Sequence, residues 1–195
     1  MKRGRWYDWS WIWPLLYFPL GAFNILFGLL GTIEFMLPLA MALFGGDKWS
    51  CEHMCGRGQL FTLLAKNLHV SRRAPAPRWL SSRAFRWAFL AFFMTMFANV
   101  LYQTWRVFGG TRSLRQTVTL LWTFRVPWHW AYTVGPAPDW IAQSSFGLYG
   151  LMLTSELIGL IVMALWRPRT WCTFCPMGTM TQLICEAKHR GEEEG

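Results

Sequence analysis

From Trp87 to Trp105 the chain runs for 19 residues without a charge, closed by Arg86 at one end and Arg106 at the other. At about 1.5 Å per helical residue this length matches a bilayer core of about 30 Å, so it predicts a membrane span. Trp140–Trp166 carries a single charge, Glu156, and stops at Arg167-Pro168-Arg169, which predicts a second. Trp9–Gly46 gives 38 positions interrupted only by Glu34, too long for one straight span. It reads as two short spans, Ile12–Leu29 and Thr32–Leu43, turning near Gly31 and kinked by Pro14, Pro19 and Pro38, with one kinked span as the alternative. A cleaved signal peptide fits poorly, because the apolar stretch overruns the usual length and no clear A-x-A site ends it. The pattern predicts an all-α polytopic membrane fold of four transmembrane helices in two hairpins, each followed by a cytoplasmic loop with a cysteine pair. Residues 1–195 then form one membrane domain. The first hairpin occupies 1–46 and a cysteine-pair and basic loop 47–86. The second hairpin occupies 87–166, with an outer connection at 107–140, and a cysteine-pair motif and tail occupy 167–195.

Composition agrees with the pattern: hydrophobic residues make up 53% and charged residues 15%, against about 25% charged in an ordinary soluble domain. The 14 tryptophans suit the aromatic belts of membrane interfaces. The net charge of +9 does not indicate nucleic acid, because the basic residues lie between apolar runs. Four spans would place 15 of the 19 Lys and Arg on one side and four (Arg106, Arg112, Arg115, Arg125) on the other. The positive-inside rule then puts 47–86 and 167–195 in the cytoplasm. The acid-free run Lys66–Arg86 reads as a topology signal in contact with anionic membrane lipid.

The cysteines change the picture from anchor to chemistry. Cys51-Glu-His-Met-Cys55 and Cys172-Thr-Phe-Cys175 each follow a predicted membrane helix on the predicted cytoplasmic side. Thiols there stay reduced, and two close pairs supply the four soft thiolates that zinc or an iron–sulfur cluster takes. The surroundings favour iron–sulfur: Pro176 follows Cys175, Gly58 and Gly178 stand three residues beyond Cys55 and Cys175, and Gln-Leu recurs at 59–60 and 182–183. The chain thus reads as two copies of one unit, a membrane hairpin, a cysteine pair and a glycine turn whose amides can approach cluster sulfurs.

The stretches Cys51-Glu-His-Met-Cys55-Gly-Arg-Gly-Gln-Leu-Phe, Ala76–Leu80 and Arg167-Pro-Arg-Thr-Trp-Cys-Thr-Phe-Cys-Pro-Met-Gly-Thr resemble the bacterial integral-membrane 4Fe-4S binding proteins. That group is related to the membrane quinol-dehydrogenase subunit of periplasmic nitrate reductase, the nitrous-oxide reductase membrane flavoprotein and cytochrome-oxidase accessory proteins. The resemblance spans residues 10–185. It implies that Cys51, Cys55, Cys172 and Cys175 hold one 4Fe-4S cluster and that the chain transfers electrons. Gly56 stands where many relatives have Pro. With no soluble ferredoxin module or flavin domain attached, any relay continues into redox partner subunits.

The remaining residues refine this expectation. Cys185 reads as a plain helix residue rather than a ligand, and His53 as a loop residue with a second role only as an alternative ligand. His53, His69, His129 and His189 all fall in connections, so intramembrane haem is not expected. Glu156, an acid inside a span, is the candidate proton or quinone-site group, with Glu34 its weaker twin. Leu114–Val134 reads as an aromatic interfacial segment. The leading function is a membrane iron–sulfur electron-transfer protein, an electron-transfer subunit rather than a stand-alone enzyme. It would pass electrons between a soluble carrier, a ferredoxin or flavodoxin, and a membrane partner or quinone. The alternatives are a redox-sensing or metalloenzyme-biogenesis protein and a purely structural metal site.

Overall fold

A computed structural model describes residues 9–45, 55–67, 71–72, 74–131 and 137–193. The described residues are mostly helical: α1 (Ile12–Phe23), a 3₁₀ turn (Ile25–Leu29), α2 (Leu30–Gly45), α3 (Gly56–Asn67), α4 (Arg83–Phe108), α5 (Asp139–Leu165) and α6 (Pro176–Glu193). Among the described residues three segments are long and apolar enough to cross a membrane, Ile25–Phe44, Arg83–Phe108 and Asp139–Leu165, while Ile12–Phe23 is a shorter apolar helix. The spans read at 87–105 and 140–166 therefore appear as α4 and α5, lengthened by a turn at the α4 ends.

The first apolar region differs from expectation in where it breaks. Gly31 lies inside α2, and the interruption falls at Asn24, whose backbone is extended (φ −142°, ψ 115°) and whose side-chain oxygen accepts the Leu26 N–H. The reason is local competition: an Asn that caps the following turn ends a helix more decisively than a lone glycine interrupts one. Three carbonyls around the break accept bonds from aromatic side chains. Trp128 Nε1 donates to the Ala22 carbonyl at 3.3 Å, Tyr149 Oη to Phe18 at 2.9 Å, and Tyr17 Oη to Gly28 at 3.1 Å. Such donors replace water, which an apolar environment does not supply.

A second departure is the β-hairpin in the connection expected to be interfacial. β1 (Thr117–Leu120) pairs antiparallel with β2 (Phe124–Pro127), Val118 opposite Val126, so the fold is not wholly α. The alternating Thr-Val-Thr-Leu suits a strand with one face buried, and Val118 is completely buried. Leu121 and Trp122 close the hairpin with positive φ, 48° and 61°, in the left-handed region that fits the strand twist but strains a residue with a side chain.

The chain folds as two compact units. One comprises Leu16–Ile33 and Phe92–Ile158, built round Tyr17, Ile25, Phe146 and Tyr149. The other comprises Met1–Leu15, Glu34–Ala91 and Gly159–Gly195, and holds α3, α6 and the described cysteines. In that second unit Phe61 of α3 is fully buried against α5, where a side chain at Gly159 would meet its ring at 2.5 Å. α5 is the most enclosed of the long helices, with 61% of its apolar window buried against 17% for α4, whose Trp87, Leu101 and Trp105 face outward.

Candidate metal centre

Two cysteines occupy equivalent places. Cys55 immediately precedes α3 and Cys175 immediately precedes α6, so each thiol lies at the positive end of a helix. The first-turn bonds repeat, with the Gln59 N–H on the Cys55 carbonyl at 3.1 Å and the Thr179 N–H on the Cys175 carbonyl at 2.9 Å. Pro176 opens α6 at the position where its missing N–H is not needed. Cys172 lies in a 3₁₀ turn (Trp171–Thr173), where residues three apart share a face. Trp171 and Phe174, 2% and 1% exposed, hold that turn inward. They pack edge to face with each other at 5.1 Å and with Phe89 at 5.7 and 5.2 Å. Cys172 is left exposed and Cys175 half-buried.

Cys55, Cys172 and Cys175 come together in this unit. A side-chain carbon at Gly58 would stand 3.6 Å from Cys172 Sγ and 3.8 Å from Cys55 Sγ, so bare backbone separates two thiols from opposite ends of the chain. The Gly58 N–H bonds to the Cys55 sulfur, the amide approach expected of a glycine here. The Cys55 thiol is pushed up to about 12, mainly by burial and then by Cys175, with Cys172 adding to the rise. The Gly58 N–H and the Arg57 charge oppose it. Thiols so placed resist ionising together unless a cationic metal core shares their space, and a metal-bound thiol is deprotonated outright.

Among the described residues no three His, Cys, Asp or Glu side chains stand close enough to hold a single metal ion. The sulfur-only donor set of Cys55, Cys172 and Cys175 suits the soft, thiolate-held irons of a cluster. Cys51 and His53 lie outside the described residues. Cys185 is buried within α6, and Glu156 is buried in α5 at 4% exposure.

Sequence reading missed what surrounds the thiols. Arg57, inside the first motif, pairs with Glu34 of α2 at 3.2 Å, and both side chains are mostly buried, 12% and 20% exposed. The signal was present: a lone acid in an apolar run needs a cation, and Arg57 is the basic residue of a motif that follows that run. The inward role of Trp171 and Phe174 was also legible in principle, since they alternate with the two cysteines.

A family model described as a 4Fe-4S binding domain matches residues 27–87 and 150–190. No curated protein and no solved structure is similar to the chain at a significant level. The matched segments take in all four paired cysteines together with Glu34, Arg57, Phe61 and Trp171, and they cover more than half of the sequence. The chain belongs to the 4Fe-4S binding domain family, and its cofactor is an iron–sulfur cluster.

Proposed function

We propose that the chain is an electron-transfer protein of the bacterial inner membrane in which Cys51, Cys55, Cys172 and Cys175 hold one 4Fe-4S cluster on the cytoplasmic side. The observation that carries this reading is the meeting of Cys55 with Cys172 and Cys175 at the starts of two helices, with Cys172 exposed. A site buried for stapling alone would have no use for an exposed ligand, whereas electron exchange requires close approach. The cluster, when bound, supplies reversible one-electron transfer. The protein's own contribution is the dry aromatic wall of Phe89, Trp171 and Phe174, the amide donor of Gly58 and the compensated charge of Arg57. Exposed Lys66, Arg72, Arg167 and Arg169 belong to the same unit and would steer acidic carriers such as ferredoxins or flavodoxins towards it. Electrons then pass to a membrane partner or quinone, with Glu156 the candidate group for coupled protons.

Stopped-flow mixing of anaerobically purified protein with reduced ferredoxin tests this. Fast cluster reduction that slows as salt rises, followed by reoxidation in native membranes, is expected. A cluster inert to carriers, whose loss unfolds the chain, would defeat the relay in favour of a structural site. Reduction without onward transfer would favour the sensing or assembly role. Impermeant labelling from the outside is expected to reach reporters at Ser113 or Ala137 and not at Ser71, and the reverse pattern overturns the orientation.

A further inference from the structure

In the unit formed by Leu16–Ile33 and Phe92–Ile158, a cavity of about 400 Å³ opens between α4, α5 and the β-hairpin. That is within the usual range for a small-molecule site. Its polar lining includes Arg115 and Arg125 with Asn99, Gln103 and Gln143, and Trp122 also lines it. Among the described residues no Asp or Glu lines it. Among the described residues no carboxylate pairs with Arg115 or Arg125 either, the ion pair found being Arg57 with Glu34.

The amides are arranged to offer hydrogens. Arg112 Nη1 donates to Gln103 Oε1 at 2.9 Å, the Arg115 N–H donates to Gln143 Oε1 at 2.9 Å, and Gln103 Nε2 reaches Asn99 Oδ1 at 3.5 Å. With each carbonyl oxygen engaged, Asn99 and Gln143 have their NH₂ groups left for a ligand. The arginines also repel one another: Arg112 is held below the usual guanidinium value, chiefly by Arg115 and then by Arg106, with Arg125 adding to the effect. A donor-rich, acid-free cavity with crowded guanidinium groups selects an acceptor-rich anion. The strained Trp122 backbone fits this, since left-handed non-glycine residues persist where the surroundings hold them and gather at ligand clamps.

We propose that this cavity is a binding site for a phosphate group, with Arg115 and Arg125 as its bidentate partners and the amides of Asn99 and Gln143 as further donors. The cavity is far larger than a bare phosphate ion needs, and part of its lining is apolar, with Met96 of α4 and Leu151 of α5. The phosphodiester of a lipid headgroup, its acyl chains lying along that apolar part, uses both. Free phosphate shares the chemistry of the polar part alone. The site does not depend on the iron–sulfur reading.

Full-length holoprotein, purified in detergent and stripped of lipid, supplies the test. Native mass spectrometry would count retained phosphatidylglycerol, and calorimetry would titrate inorganic phosphate. For a lipid site, wild-type protein retains phosphatidylglycerol and the R115Q/R125Q variant, with both charge-assisted contacts gone, loses it at least about a hundredfold. Calorimetric binding of phosphate without lipid retention, lost in the same variant, assigns the site to the free ion. Asn99→Leu keeps both charges and should also lower binding several-fold, which covers failure of the double variant to fold. Lys188→Gln with Arg190→Gln removes equal charge elsewhere and should leave binding unchanged. Equal retention and equal titration in wild type, R115Q/R125Q and Asn99→Leu would overturn the proposal.

Discussion

The two cysteine motifs look like repeats in sequence, yet they reach the same place by different physics. The second half-site is set by packing: Pro176 starts α6, while Trp171 and Phe174 are buried beside the two thiols they alternate with. The first half-site is set by charge and close approach. Gly56 opens α3 where a side chain would meet the Ser10 carbonyl oxygen at 2.5 Å, and the next residue, Arg57, is paired with Glu34. One half therefore supplies a rigid frame and the other an adjustable electrostatic setting beside it. A cluster bridging both would inherit its stability from the second motif and part of its potential from the first.

The largest expected effect ignores the difference between halves. Changing Cys55, Cys172 or Cys175 to Ser should abolish or convert the cluster, with iron falling from about four per chain and the reducible EPR signal lost or altered. Cys185→Ser, in the same unit but buried in α6, should leave iron content unchanged. Equal loss in all four variants would remove the distinction between ligands and core thiol.

The next effect separates the halves. Trp171→Ala empties a space among Phe89 and Phe174 and should cost about 3–5 kcal/mol. It should show as a lower unfolding midpoint in detergent and faster bleaching of cluster absorbance. Glu34→Gln should cost less, about 1–3 kcal/mol, because glutamine keeps the shape and an acceptor oxygen for Arg57 and leaves no void. Its distinguishing readout is redox: an uncompensated Arg57 favours the reduced cluster, so the midpoint potential should rise by something on the order of tens of millivolts. Arg57→Gln should move it the other way. A potential unmoved by both changes would make the pair a structural tie only.

How far these features could be read from the residues follows the range of the interactions involved. The long apolar helices α4 and α5 were legible because charge-free length is a local signal. The break at Asn24 was misread as Gly31 because the choice depends on which side chain finds a backbone partner, here the Leu26 N–H. The hairpin at 117–127 was hidden by its aromatic residues, which also suit an interfacial segment; its left-handed turn at Leu121 and Trp122 carries none of the usual Asn or Gly. The meeting of Glu34 with Arg57, and of both motifs, is tertiary. Only the rule that a lone acid in an apolar run requires a cation pointed to the pair.

The smallest effect is the sharpest probe of the comparison, because it uses one added carbon in each half. Gly58 and Gly178 hold equivalent places, three residues beyond Cys55 and Cys175, and both lie in the first turn of a helix. Alanine at either should gain helix propensity, up to about 1 kcal/mol, and neither backbone is crowded enough to resist it. At Gly178 the nearest atoms are the Cys172 carbonyl oxygen at 3.8 Å and Cys175 Cβ at 3.9 Å, so Gly178→Ala should be neutral or slightly stabilising with full iron content. At Gly58 the new carbon would lie against two sulfurs, at 3.6 and 3.8 Å, in the space a cluster shares with them. Gly58→Ala should therefore retain its fold but load iron several-fold less well. Iron analysis and unfolding midpoints on the same preparations decide it: equal loading in the two variants would mean that the repeats are alike after all.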